Sequence, residues 1–260
     1  MGFQYKQVLM IGGTSGIGAA MADRLVQEGS KVIVVGRRQD RIDAFVQKHG
    51  STKAGGIKFN ISDLERIDDF FSRATQAYPD IDCVFLNAGT QFPITLAQPD
   101  KVNLEVFHMQ MMVNFTAFVD ITMKFLPFLM SKKSETSLIY TSSNIAIVPA
   151  SGLSAYSASK AALNAFILCL RDELRLSTVK VIELSPPVVQ TEIHDYMDPE
   201  TGRKLGMPID SFTDAAFEGL ASGKDQIVIG SIGPADTFNE IVDKRRAAFE
   251  NLAKMIRGET

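Results

Sequence analysis

The chain has 260 residues, 45% of them hydrophobic and 22% charged, with a formal net charge of −3. This is ordinary globular material, long enough to bury a substantial core, and its slight acidity leaves no electrostatic footprint for nucleic acid. The start Met1-Gly2-Phe3-Gln4-Tyr5-Lys6 lacks the n- and h-regions of a signal peptide, Lys6 argues against myristoylation, and no apolar run suits a membrane span, so a cytoplasmic protein is expected.

The apolar run Gln7 to Ile11 leads into Gly12-Gly13-Thr14-Ser15-Gly16-Ile17-Gly18, a helical pattern through Met21, Leu25 and Val26, and a second apolar run from Lys31 to Val35. Strand, glycine-rich turn, helix and strand within about thirty residues make the opening βαβ unit of a dinucleotide-binding fold. Glycines at 12, 16 and 18 let the backbone turn tightly and let a pyrophosphate approach the amides at the helix start. The second strand is followed by Gly36-Arg37-Arg38, where an NAD-type site usually carries an acid for the adenosine ribose. Two guanidinium groups there favour the 2′-phosphate of NADP, the alternative being solvated arginines that open the helix Gln39 to His49.

Ala54 to Phe59 reads as a third strand, Ser62 as the cap of a helix reaching about Tyr78, and Asp82 to Leu86 as a fourth strand ending in Asn87-Ala88-Gly89. A long helix is expected from about Leu104 to Met130, apolar on several faces and therefore buried or paired with another subunit. Asn114 lies in its middle, either as a structural tie to backbone or as a polar anchor beneath a catalytic lysine. Further strands are expected at Ser137 to Thr141, Val179 to Leu184 and Gln226 to Ile229, with a helix from about Ala155 to Leu176. The alternation implies one domain over 1–260, an α/β Rossmann-type doubly wound parallel sheet of about seven strands with ligands at the strands' carboxyl ends. The stretch 190–222 reads as a substrate lid. A C-terminal helix over 234–257 would dock on its own domain or a neighbouring subunit, with membrane-surface binding the lesser reading. Cys83 and Cys169 are expected as buried thiols, and His49, His108 and His194 are too scattered for a metal site or a triad.

The chemistry concentrates between Ser142 and Lys160. Tyr156 and Lys160, four residues apart, share a helix face. An ammonium beside a phenol favours the phenolate and brings a tyrosine of ordinary pKa, about 10, toward neutral pH. Ser143 follows the buried run Leu138-Ile139-Tyr140, where its hydroxyl can orient a substrate oxygen against the phenol.

The Gly12-x-x-x-Gly16-Ile17-Gly18 turn, Asn87-Ala88-Gly89, Asn114, Ser143, Tyr156-x-x-x-Lys160 and Pro186…Thr191, in this order and at these intervals, resemble the short-chain dehydrogenase/reductase family in its single-domain branch. The resemblance covers nearly the whole chain. It implies an NADP(H)-dependent oxidoreductase interconverting a carbonyl and an alcohol, assembled as a homodimer or homotetramer through the Leu104 and Ala155 helices. It further implies that Tyr156 is the general acid in reduction and the general base in oxidation. Lys160 would hold the nicotinamide ribose and lower the Tyr156 pKa, Ser143 would bond the substrate oxygen, and Asn114 would position a water linked to Lys160. Gly12, Thr14, Ser15, Gly16, Ile17, Gly18, Arg37, Arg38, Asn60, Ile61, Asn87, Ala88, Gly89, Pro186, Val189 and Thr191, together with Tyr156 and Lys160, would contact the cofactor. The sequence departs from the family pattern at Ile11, at Leu86, at Asn60 in place of an adenine-binding Asp, and at Pro187 in place of Gly. The Pro186-Pro187 variant is similar to a bacterial and fungal subgroup typified by the oxidoreductase encoded beside teichoic-acid alanylation genes, the DltE type. Val148, Leu153, Val189, Ile193, Tyr196 and Met197 are candidate pocket walls that suit an apolar or aromatic carbonyl. The alternative to an enzyme is a catalytically silent NADP(H)-binding redox sensor or regulatory protein.

Overall fold

The computed structural model describes residues 2–259. Seven strands, β1 (Gln7–Ile11), β2 (Lys31–Gly36), β3 (Ala54–Lys58), β4 (Cys83–Leu86), β5 (Thr136–Thr141), β6 (Val179–Ser185) and β7 (Gln226–Val228), form one sheet in the order β3-β2-β1-β4-β5-β6-β7. Every pairing is parallel. A parallel sheet is covered on both faces, which is why its strands are nearly continuous apolar runs. Alternation along each strand divides the core: Leu9 and Ile11 face one layer with Phe118, Ile121 and Leu163, while Val8 and Met10 face the other with Met21, Leu25 and Phe212.

The helices are α1 (Gly16–Gln27), α2 (Gln39–His49), α3 (Ile67–Ala77), α4 (Leu104–Met111), α5 (Ala117–Met130), α6 (Ser154–Glu173), α7 (Pro199–Gly202), α8 (Ile209–Ala221) and α9 (Ala235–Ile256). The chain winds outward from β1 in one direction to β3, then crosses back to β4 and winds the other way. This reversal leaves a crevice above the ends of β1 and β4.

Several expectations change in detail. Ser62 does not cap a helix: its amide bonds the Asn60 side chain at 3.4 Å in a tight turn, and α3 starts only at Ile67 after a single 3₁₀ turn at Leu64–Arg66. The Leu104–Met130 helix is continuous but widens to a π-helical turn at Met112–Thr116, around Asn114. Its 27 residues are by length and composition apolar enough to cross a membrane, contrary to the reading of the sequence, yet Ala117, Phe118, Ile121, Phe125 and Leu129 are fully buried in the core. The stretch 190–222 divides in two. Residues 190–206 form a loop closed at its base by a Val189–Met207 bridge, whereas α8 buries Phe212, Ala216 and Leu220 against its neighbours and is core rather than cover. Cys83 is buried as expected, but Cys169 lies on the outer face of α6 and is exposed. The C-terminal helix docks on its own chain: Phe238 and Val242 are buried, and Arg246 forks onto Asp225 at 2.7 and 3.0 Å.

Candidate active site

The crevice is a cavity of about 960 Å³, within the usual range for small-molecule and cofactor sites. Its floor is backbone. Gly12 has φ +84°, and a Cβ there would stand 2.5 Å from the Ala88 backbone, so only glycine lets the first turn pass under the Asn87-Ala88-Gly89 segment. Asn87 and Ala88 each donate an amide to Ile11 O at 2.9 Å, and the Asn87 side chain ties Gly12 O to the Thr141 hydroxyl. One asparagine thus fastens the ends of β1, β4 and β5 together. Gly18 lies inside α1 rather than on the cavity wall, and a Cβ there would stand 2.1 Å from Gly12 O, so glycine is what lets the helix pack against the first turn.

The other expected cofactor residues, Thr14, Ser15, Gly16, Ile17, Arg37, Arg38, Asn60, Ile61, Gly89, Pro186, Val189 and Thr191, all line the cavity with Gly12, Asn87 and Ala88. Ser15 precedes α1 without capping it, so the amides of the first turn face the crevice without a side-chain acceptor. Its hydroxyl instead accepts from Arg38 at 2.9 Å. Two residues here escaped the reading of the sequence. Arg41, one turn into α2, forks onto Glu192 at 3.0 and 3.1 Å, and Arg38 approaches the same carboxylate at 3.8 Å. The Arg41 guanidinium holds Glu192 below the usual carboxylate range. Their separation of 151 residues leaves no pattern in the chain by which to find them.

At the opposite end, Ser143, Tyr156 and Lys160 meet on the cavity wall. Ser143 opens a 3₁₀ turn after β5, anchored by the buried Asn144, whose side chain donates to Ile229 O and accepts from Ser185, both at 2.9 Å. Lys160 is buried and donates to Thr141 O at 2.9 Å. Asn114 does not reach the cavity. Its amide accepts from Thr90 N at 2.9 Å and donates to Thr90 O at 2.9 Å and Ser159 Oγ at 3.0 Å, while Ser159 Oγ donates to Tyr156 O. The tie to backbone is the role its contacts display, although Asn114 Oδ1 and Lys160 Nζ both lie within 4.0 Å of the point where a Gly89 Cβ would stand.

Burial acts on both members of the Tyr156–Lys160 pair. Burial pushes the Tyr156 phenol up to about 12, only partly offset by the Ser143 hydroxyl, and pushes Lys160 down to about 8. Desolvation is the largest influence on both groups, with the ammonium 5.8 Å from the Tyr156 ring centre. Burial therefore favours the phenol form of Tyr156 over the phenolate. Of the expected substrate walls, Leu153, Val189, Ile193 and Tyr196 line the cavity and Val148 and Met197 do not. His194, read from the sequence as structural or surface, lines it as well. No cluster of metal-ligating side chains occurs among the described residues.

Comparison with known proteins agrees with this architecture. The family model of the short chain dehydrogenase matches residues 6–201. The chain is 31% identical to the uncharacterized oxidoreductase DltE of Bacillus subtilis over 221 residues, covering 85% of this chain and 86% of that one. It is 34% identical to a serine 3-dehydrogenase of Rhizobium radiobacter over 185 residues, 71% and 72% of the two chains. Among solved structures, a short chain dehydrogenase/reductase from Burkholderia phymatum in complex with NAD superposes with TM-score 0.79 at 18% identity, over 88% of this chain and 90% of the other, a likeness of fold. The switch-point crevice, its glycine floor and these matches have one reading: the chain belongs to the short-chain dehydrogenase family of NAD(P)-dependent oxidoreductases.

Proposed function

We propose that the protein reduces a small carbonyl compound to an alcohol, and catalyses the reverse, with NADP(H) preferred over NAD(H). The observation that carries this reading is the meeting of Tyr156, Ser143 and Lys160 at one end of a crevice whose other end holds Arg37 and Arg38. The residues present fit a dinucleotide: a glycine floor no Cβ could enter, uncapped amides at the start of α1, and guanidinium groups where a 2′-phosphate would lie. Bound there, the nicotinamide would supply hydride.

The protein's own part is proton transfer and alignment. Ser143 orients the substrate oxygen, and Tyr156 donates a proton to it during reduction or accepts one during oxidation. Burial keeps Tyr156 in its phenol form, the form that can donate to the substrate oxygen. Lys160, fixed by Thr141 O, offers its remaining donors to the cofactor ribose, and Asn114 sets the Thr90 backbone and, through Ser159, the start of α6. The loop 190–206 covers the substrate. Leu104, Met123 and Met130 are exposed along the long helix and suit assembly into a homodimer or homotetramer.

Titration of the protein with NADPH and NADH, followed by oxidation of the bound cofactor across aldehydes, ketones and quinones, tests the reading. Selective NADPH binding with turnover is the expected result, and replacing Arg37 and Arg38 with Ala should weaken NADPH much more than NADH. Equal losses for both would overturn the 2′-phosphate assignment, and absence of binding would overturn the function.

A further inference from the structure

Several polar groups at the substrate end are not used by Ser143, Tyr156 or Lys160, and they form one connected set. His194 and Gln91 are both buried, and Gln91 Nε2 stands 3.5 Å from His194 Nδ1 and 2.8 Å from the Tyr196 hydroxyl oxygen. Burial lowers the pKa of the imidazole, which leaves a neutral ring with one nitrogen free to accept. An amide nitrogen carries two hydrogens and accepts nothing, so Gln91 Nε2 donates to the Tyr196 oxygen, and its contact with His194 Nδ1 is a hydrogen bond in the tautomer that leaves that nitrogen unprotonated. The Tyr196 oxygen accepts in this pair, and its own hydrogen is left over. Among the described residues the hydroxyl has no other hydrogen-bond partner.

Tyr196 lines the cavity and lies near enough to Tyr156 for the charge of one phenol to be felt by the other. Around them the walls are apolar, formed by Phe92, Met109, Val113, Leu153 and Met207. Apart from Lys160, the cations lining the cavity are Arg37 and Arg38, which stand at the far end with Ser15 and Glu192. A substrate carboxylate would have no guanidinium or second ammonium to meet it here.

We propose that Tyr196 is a second donor to substrate oxygen, and that the substrates are uncharged carbonyl compounds with another acceptor oxygen close to the reacting carbonyl, as in diketones and keto esters. This rests on the reading of the site as carbonyl-reducing. Ser143 and Tyr156 serve the reacting oxygen and Tyr196 its neighbour. Tyr196 is partly exposed on the cavity wall. A bound substrate that excludes water from its hydroxyl but lacks the acceptor leaves the donor unpaired, so the site discriminates against it.

The test compares 1-phenylpropane-1,2-dione with 1-phenylpropan-1-one, in which a methylene replaces the second carbonyl. Tyr196→Phe should lower the dione-to-ketone ratio of kcat/KM by about 10- to 100-fold. Equal losses on both compounds, or none on either, would overturn the second-donor role. Binding is read apart from turnover by calorimetry on Tyr156→Phe protein loaded with NADP⁺, where adding Tyr196→Phe should weaken the dione by about 10-fold. Absent dione binding, or binding that ignores Tyr196, overturns the proposal. Tyr196-dependent binding with no turnover of either compound by the wild type would leave the second donor standing and overturn the carbonyl-reducing reading instead.

Discussion

The two walls of the crevice are built by different means. The wall made by the ends of β1, β2 and β4 is close-packed backbone, in which Gly12, Gly18 and Ala88 approach one another closer than side chains permit. The wall made by residues 188–207 is a loop clasped at its base by the Val189–Met207 bridge and held elsewhere by side chains. Glu192 reaches Arg41, Arg203 forks onto Asp195 at 2.9 and 2.7 Å, and Tyr196 meets Gln91. Exposed ion pairs of this kind are screened by water and contribute little. The first wall cannot shift without opening the core, whereas the second is held largely by side-chain contacts that water can replace.

The largest effect should come from the point where the walls meet the chemistry. Tyr156→Phe should lower kcat by about 10²- to 10⁴-fold with NADPH affinity nearly unchanged, measured by steady-state kinetics and cofactor titration. Substantial residual turnover would mean that another group supplies the proton.

Next, Gly18→Ala strikes the packed wall. Its methyl would fall 2.1 Å from Gly12 O and 2.5 Å from Asn87 Nδ2, so urea unfolding should show a loss of about 1–3 kcal/mol or more, together with weakened cofactor binding. An unchanged midpoint would mean the turn is more pliant than its contacts indicate.

The smallest effect should come from the side-chain wall. Glu192 lies 3.8 Å from Arg38, one of the two guanidinium groups proposed for the 2′-phosphate, so on that reading the two anions compete for it. Glu192→Gln should tighten adenosine 2′,5′-bisphosphate by about 5- to 10-fold and leave 5′-AMP unchanged, with stability altered by less than about 1 kcal/mol. Equal tightening of both would show a general charge effect rather than competition at the 2′ position.

Tyr156 and Lys160 were legible because helical spacing puts residues four apart on one face, and the glycines because a strand-to-helix turn under a second strand end excludes side chains. The helix over 104–130 was legible from its length, but its π turn was not, since that widening depends on Asn114 reaching the Thr90 backbone and Ser159 at once. Cys169 shows the limit of composition: apolar neighbours in sequence say nothing about which side of α6 faces water.

By itself the sequence determined the order of strands and helices, the family, and the catalytic candidates, because these rest on short-range periodicity and on motifs whose members lie within a turn or a strand of one another. Tertiary structure alone decided how deeply Tyr156 and Lys160 are buried, that Glu192 would meet Arg41, and that Gln91 would lie between His194 and Tyr196. Burial and contacts between residues about a hundred or more apart arise only when the sheet is assembled, and they set the dielectric surroundings and hydrogen-bond partners from which chemistry follows.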